Sequence, residues 1–224
     1  MIAAMMKLYS GPLSMFGAKA EIALREKGAE FAIEMVAFSQ AQGYSPRHPE
    51  VLRVNPKRQV PVLIDTGLEL YDSTQIFEYC EDRWPVPALW PITVPERARA
   101  RQMEHASDEV FFTNVIKLMG MRAKPDPVDS PDWIKAREGI QAYYDKMEAL
   151  LGARQFLAGA YTYADIAFYM AQFFAARHTV PMEPKHVNLL AWRKRMAARP
   201  AVRIVIDRMA DYLRSIDYPV PPYD

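Results

Sequence analysis

The chain has 224 residues, half of them apolar, which gives room and material for two small domains with real cores. Its 28 Lys and Arg stand against 27 Asp and Glu, a formal net charge of +1, and no basic stripe alternates with aromatics, so no nucleic-acid partner is expected. No apolar run approaches about 18 residues, so no membrane span is expected; the one cysteine cannot build a disulfide framework, which fits a reducing, cytoplasmic compartment.

Met1–Met6 is too short for a signal peptide and reads as a ragged start before the first strand, Lys7 to Tyr9. Phe16, Ala20, Ala23 and Leu24 mark a helical face that Gly28 ends. Phe31 to Phe38 alternates and predicts a strand, whereas the polar, proline-bearing residues 40–56 read as loop. Val60 to Ile64 is apolar and β-branched, Gly67 supplies a hairpin turn, and Leu68 to Leu70 follows as a short strand. Ile76, Phe77, Tyr79 and Cys80 then recur at helical spacing. This βαβ-ββα order predicts a small mixed sheet.

Prolines 85, 87, 91 and 95 mark a stiff linker. The expected organisation is therefore a sheet domain over 1–84, a linker over 85–95 and an all-α domain over 96–224. In the latter, a helix runs from Arg97 to Met121, and Trp133, Ile140, Tyr143, Met147 and Leu150 stripe a second. Thr162 and Asp165 have capping-box spacing. Helices near 187–198 and 201–216 follow, and the tail at 219–224 reads as irregular and prone to fray.

Two short stretches carry chemistry. Pro61 cannot donate to a ladder, so it belongs at a strand's mouth, and it forces Val60 into an extended conformation. With a cis bond, Val60 would turn its N–H and C=O outward, where an extended peptide could pair with them. Asp72 and Ser73 open the next helix, whose unpaired N–H groups and dipole favour an anion. Ser73 adds a hydroxyl and Asp72 can hold an ammonium, so the pair suits the zwitterionic end of a small peptide. The plainer readings are a strand-entry proline and an ordinary N-cap.

The segment NPKRQVPVL, continued by LYDSTQIFEYCEDRWP, closely resembles the glutathione-site region of the glutathione S-transferases. Lys7 to Phe16 resembles that family's first strand and active loop, Tyr161 to Ala167 its helical capping box, and Leu190 to Val202 a late helix and turn. The resemblance implies a thioredoxin-like α/β domain followed by a helical domain, and glutathione as co-substrate. It also implies glutathione-binding roles for Gln59, Val60, Pro61, Asp72 and Ser73, with Pro61 as a cis-proline. The family more often has glutamate where Asp72 stands.

Activation of the glutathione thiol requires lowering a pKa of about 8.5. A hydroxyl donating to the sulfur beside a helix N-terminus would do this. Ser14 stands just before the first helix, as in serine-type (theta-like or bacterial) members of the family; Ser10 and Tyr9 are the alternatives. Cys80 lies away from this loop and reads as buried and inert. His48, His105, His178 and His186 are scattered, without HExxH or CxxC spacing, so no metal is expected.

By resemblance, a hydrophobic electrophile would meet walls drawn from Met15, Phe16, Tyr44, Phe112 and Ile116. The expected function is attack of a glutathione thiolate on that electrophile. A non-catalytic glutathione-binding or regulatory protein, or a glutathione-dependent dehalogenase or peroxidase, would share these features. Past Val110 the helix to Met121 is apolar on nearly all sides, which predicts a homodimer.

Overall fold

A computed structural model describes residues 5–121 and 130–224. Residues 1–4 of the expected ragged start lie outside the described residues, but Met6 is buried and its C=O accepts the Ala32 N–H at 2.8 Å. The chain forms two compact units: one holds Met1–Ala88 with Arg203–Ile216, the other Leu89–Val202 with Asp217–Asp224.

In the first unit, β1 (Lys7–Ser10) leads through α1 (Met15–Glu26) to β2 (Ala32–Met35). A short helix, α2 (Pro49–Val54), precedes the hairpin of β3 (Val62–Asp65) and β4 (Leu68–Tyr71), and α3 (Ser73–Arg83) closes the series. The sheet order is β2-β1-β3-β4; β1 and β2 are parallel and the other pairs antiparallel. The βαβ-ββα order thus stands, with α2 added inside the stretch expected to be loop. Helix α2 starts on Pro49, which is pre-set for a first turn, behind an unusual N-cap in which His48 Nδ1 accepts the Glu50 N–H at 3.2 Å.

Strand alternation sends side chains to two cores. Leu8 and Leu63 pack with Ala20 and Leu24 of α1 and Ile76 and Cys80 of α3. Tyr9 and Val62 point the other way, to Val51 of α2 and Val36. The hairpin turns through Thr66 (φ 49°) and Gly67 (φ 90°), the left-handed pair that a tight two-residue turn requires.

The final helix, α9 (Pro200–Ser215), belongs to this unit from Arg203 onward. Its apolar stripe of Val202, Val205, Ile206, Met209 and Leu213 is buried. Arg208 grips the fully buried Glu21 of α1, with Nη1 to Oε1 at 2.9 Å, and Glu21 also accepts Arg25 Nε at 2.9 Å.

The second unit is helical. The expected Arg97–Met121 helix starts earlier, as α4 (Val94–Ala106), passes a π-helical turn (Ser107–Phe111) and continues as α5 (Phe112–Met121). Pro95 stands in the first turn of α4, where its missing N–H costs nothing. Then come α6 (Pro131–Leu151), α7 (Tyr163–Arg177) and α8 (Val187–Ala197). Every residue of α7 is buried, as befits a helix apolar on nearly all faces. Phe168 at its centre meets the rings of Phe111, Tyr143, Tyr144 and Trp192.

Carboxylates satisfy the helix starts. Asp165 closes the expected capping box on Thr162 and also accepts the Leu157 N–H and Trp192 Nε1, both at 2.9 Å. Glu148 of α6 takes the Asn188 and Leu189 N–H groups at the start of α8, at 2.9 and 2.8 Å. The tail is held rather than frayed: Tyr169 donates to the Tyr223 C=O at 2.7 Å and Arg193 to the Asp224 C=O at 3.0 Å. Among the described residues, no helix is long and apolar enough to cross a membrane.

Burial pushes the Asp165 carboxyl up to about 6, against the pull of the Leu157, Trp192 and Thr162 donors. The folded protein therefore holds a proton that the unfolded chain, near 3.8, has released. The stability tied to this group is full below that value and is lost as pH rises through about 6. Asp165→Asn, which puts a donor where donors already point, is expected to cost at least about 2 kcal/mol. Its deficit relative to wild type, read by urea unfolding, is expected to shrink as pH rises through that window.

Candidate functional site

The register of the sheet gathers the predicted residues at one end. Tyr9 pairs with Val62, and Val62 with Tyr71. One residue further along each chain stand Ser10, the last residue of β1, Pro61, just before β3, and Asp72, just after β4. Helix α3 starts immediately after Asp72, and α1 starts at Met15, a short turn beyond Ser10. Two helix N-termini thus open at the sheet end that carries these residues, and the dipole of each favours an anion there.

Ser14 is the N-cap of α1: its Oγ accepts the Gly17 N–H at 3.0 Å. That bond uses an acceptor lone pair and leaves the hydroxyl proton to donate elsewhere. A hydroxyl that accepts from a backbone N–H is polarised into a stronger donor. Ser10 shares the spot. A Cβ added at Gly17 would lie 2.2 Å from Ser10 Oγ and 3.0 Å from Ser14 Oγ, so the glycine makes room for both hydroxyls. Tyr9 does not join them. Its ring lies on the other face of the sheet, 5.0 Å from the His48 ring and under Lys7 Nζ at 4.9 Å.

The Val60–Pro61 bond is cis. Val60 stands two residues ahead of Val62, the first paired residue of β3. The turn before it is organised by Asn55, which is buried: its Nδ2 donates to the Gln59 C=O at 2.5 Å and its Oδ1 accepts the Lys57 N–H at 2.9 Å. Sequence reasoning assigned Asn55 no role; the Asn-Pro dipeptide is the local signal that marks such a turn.

Asp72 caps α3, with Oδ1 accepting the N–H groups of Thr74 at 3.0 Å and Gln75 at 3.4 Å. Its backbone sits at φ 75°, ψ 129°, a sparsely populated region costing a non-glycine residue about 1–3 kcal/mol. Such strain clusters at ligand clamps. Ser73 beside it is buried. Lys57 Nζ stands 3.9 Å from Asp72 Oδ2, an exposed pair worth little to stability.

The residues expected to wall an electrophile are divided between the units. Met15 is buried in α1, Phe16 is half-buried with Lys19 Nζ 5.7 Å above its ring, and Tyr44 rests against the active loop. In the helical unit, Phe112 is buried edge-on to Phe174 at 6.0 Å, and Ile116 is half exposed. Cys80 is buried beneath α3 with its thiol pushed up to about 12 by burial, which leaves it protonated and unreactive.

Two family models match the chain: "Glutathione S-transferase, N-terminal domain" over residues 4–82 and "Glutathione S-transferase, C-terminal domain" over residues 112–200. A stringent starvation protein A homolog of Coxiella burnetii is 33% identical over 109 residues, and the match spans 48% of each protein. A probable glutathione S-transferase, parC, of Nicotiana tabacum is 28% identical over 200 residues, 84% of this chain and 83% of that protein. Among solved structures, a glutathione S-transferase from Rhodospirillum rubrum F11 superposes with a TM-score of 0.77 at 25% identity, over 90% of this chain and 92% of that one.

Proposed function

The chain belongs to the glutathione S-transferase superfamily, and from that premise we propose that it is a working transferase of serine type. Glutathione lies along Val60 and Pro61 with its γ-glutamyl end at Asp72 and Ser73; Gln59 meets its glycyl end. Ser14 donates to the sulfur. The observation that carries this reading is the gathering of Ser10, Pro61 and Asp72 at one end of the sheet, where α1 and α3 both begin.

The chemistry follows from that placement. The thiol proton leaves to solvent, and the sulfur anion is favoured by the Ser14 hydroxyl and the α1 dipole. The thiolate then forms a C–S bond to a hydrophobic electrophile as the bond to the leaving group breaks. Asp72 meets the γ-glutamyl ammonium, while the Ser73 hydroxyl and the positive end of the α3 dipole meet its carboxylate. Tyr9 is the weakest of the three hydroxyl candidates, because its ring is on the α2 face.

A second reading, a non-catalytic or regulatory protein, draws on the likeness to the stringent starvation protein A homolog. The two separate on turnover: a regulatory protein would bind glutathione or a partner without consuming an electrophile. Glutathione-dependent dehalogenation or peroxide reduction would use the same thiolate and is distinguished by a substrate panel. The cytoplasm is the compartment we propose for it.

The assembly we propose is a homodimer. Phe111, Phe112, Val115 and Leu118 are buried, while Val110, Ile116 and Met119 of the same run stay exposed and leave part of it apolar toward solvent. An apolar side of this kind is the sort of surface a two-fold partner covers.

Calorimetry is expected to show glutathione binding, weakened by about 1.5–3 kcal/mol in Ser73→Ala, the worth of a hydrogen bond to a charged group; an intact protein that binds none rejects the reading. Thiolate absorbance against pH is expected to show a raised bound-thiol pKa in Ser14→Ala, with turnover down about a hundred- to a thousandfold. A raised pKa in Ser10→Ala alone would transfer the role to Ser10. Light scattering is expected to report twice the 25.7 kDa chain mass at micromolar concentration, and a monomer there refutes the dimer.

A further inference from the structure

Tyr44 stands in the loop between β2 and α2, far in sequence from the active loop, yet its ring lies on Gly11. A Cβ at Gly11 would fall 2.3, 2.4 and 2.5 Å from Tyr44 ring and hydroxyl atoms. The glycine is there to admit this ring. The Tyr44 hydroxyl also accepts the Leu13 N–H at 3.3 Å. At that length the bond is a modest one, and the ring contact adds to it. One side chain therefore touches both ends of the Gly11–Leu13 turn. The same turn closes on itself where the Ser14 N–H meets the Gly11 C=O at 3.3 Å, and it delivers Ser14 to the N-cap of α1.

Tyr44 is itself held from behind. Phe38 meets its ring at 4.7 Å, and Phe38 in turn meets Tyr212 of α9 at 6.1 Å. The Tyr212 hydroxyl donates to the Phe38 C=O at 3.1 Å. One turn earlier on α9, Arg208 is fixed to Glu21 of α1. All of these residues lie in the unit that contains Arg203–Ile216. A continuous chain of contacts runs from the C-terminal helix to the backbone beside Ser14.

We propose that Tyr44 is a positioning residue for thiol activation, setting where the Ser14 hydroxyl sits, and that α9 holds Tyr44 in place through Tyr212 and Phe38. Its chemical consequence rests on the transferase reading above. Tyr44 donates nothing to the sulfur. It fixes the turn from which the donor projects, and a donor displaced by even part of an ångström loses much of its effect on a developing anion.

The test compares wild type with Tyr44→Phe, which keeps the ring and removes the hydroxyl, and with Tyr212→Phe. Tyr44→Phe is expected to raise the pKa of bound glutathione by roughly half to one unit, the worth of one modest hydrogen bond. Glutathione affinity is expected to stay nearly unchanged, and exchange of the Leu13 amide hydrogen to speed up. Tyr212→Phe is expected to shift the same pKa in the same direction by less, and the double variant no further than Tyr44→Phe, since both act through one path. Gly11→Ala is expected to cut turnover when Tyr44 is present and to cost nothing more in a Tyr44→Ala background. An unchanged thiol pKa with unchanged Leu13 exchange in Tyr44→Phe overturns the proposal, as does a Gly11→Ala penalty that persists without the ring. If wild type binds no glutathione, the transferase reading falls; Leu13 exchange then decides the tether by itself, faster in Tyr44→Phe supporting it and unchanged overturning it.

Discussion

The strand register at the end of the sheet is the constraint on which the first unit depends. Leu8 must face α1 and α3, Tyr9 must face α2, and Ser10 must return to the α1 side. A slip of one residue in β1 would exchange these faces. It would carry Leu8 to the α2 face, drive Tyr9 under α1 and carry Ser10 away from Gly17. The same alternation that fills both cores therefore places the hydroxyls, and the sheet cannot lose one without losing the other. Asp72 adds to this: its strained backbone is tolerated because β4 fixes one side of it and the cap of α3 fixes the other.

Buried charge is handled consistently in both units. Glu21 is enclosed by Arg25 and Arg208, and Lys27 is buried against Glu81 and the Pro87 C=O. Asp165 and Glu148 are met by backbone and side-chain donors at helix starts. Such groups gain little net stability over apolar replacements, but each strongly penalises any arrangement that leaves it unpaired. They act as fixed points: α9 can dock on α1 in one register, and α8 can begin at one place on α6.

Much of this was legible in the chain. The β-branched run after Pro61, the left-handed turn at Gly67 and the Thr162–Asp165 box each carry a local signal, and the structure has each where its signal lies. Helix α2 was hidden because it is only six residues long, sits in a polar, proline-bearing stretch, and has a histidine ring nitrogen as its N-cap. The choice among Tyr9, Ser10 and Ser14 stayed open in the sequence because Tyr9 and Ser10 differ only by sheet face, which pairing sets, and Ser14 is placed by where α1 begins. The contacts of Tyr44 with Gly11, of Arg208 with Glu21 and of the tail with α7 and α8 leave no local trace. Each joins residues that only tertiary packing brings together.

The single cysteine has a practical and a biological corollary. Cys80 is walled into the core between the sheet and α3, with its thiol held protonated far above neutral pH. The chain thus offers no sulfur of its own for mixed-disulfide exchange with a small thiol or its disulfide, since only an accessible thiolate takes part. The state of that sulfur is insulated from the redox balance around the protein. For the experimenter, the same inertness means that a cysteine introduced on the surface would be the one position a maleimide dye or spin label finds.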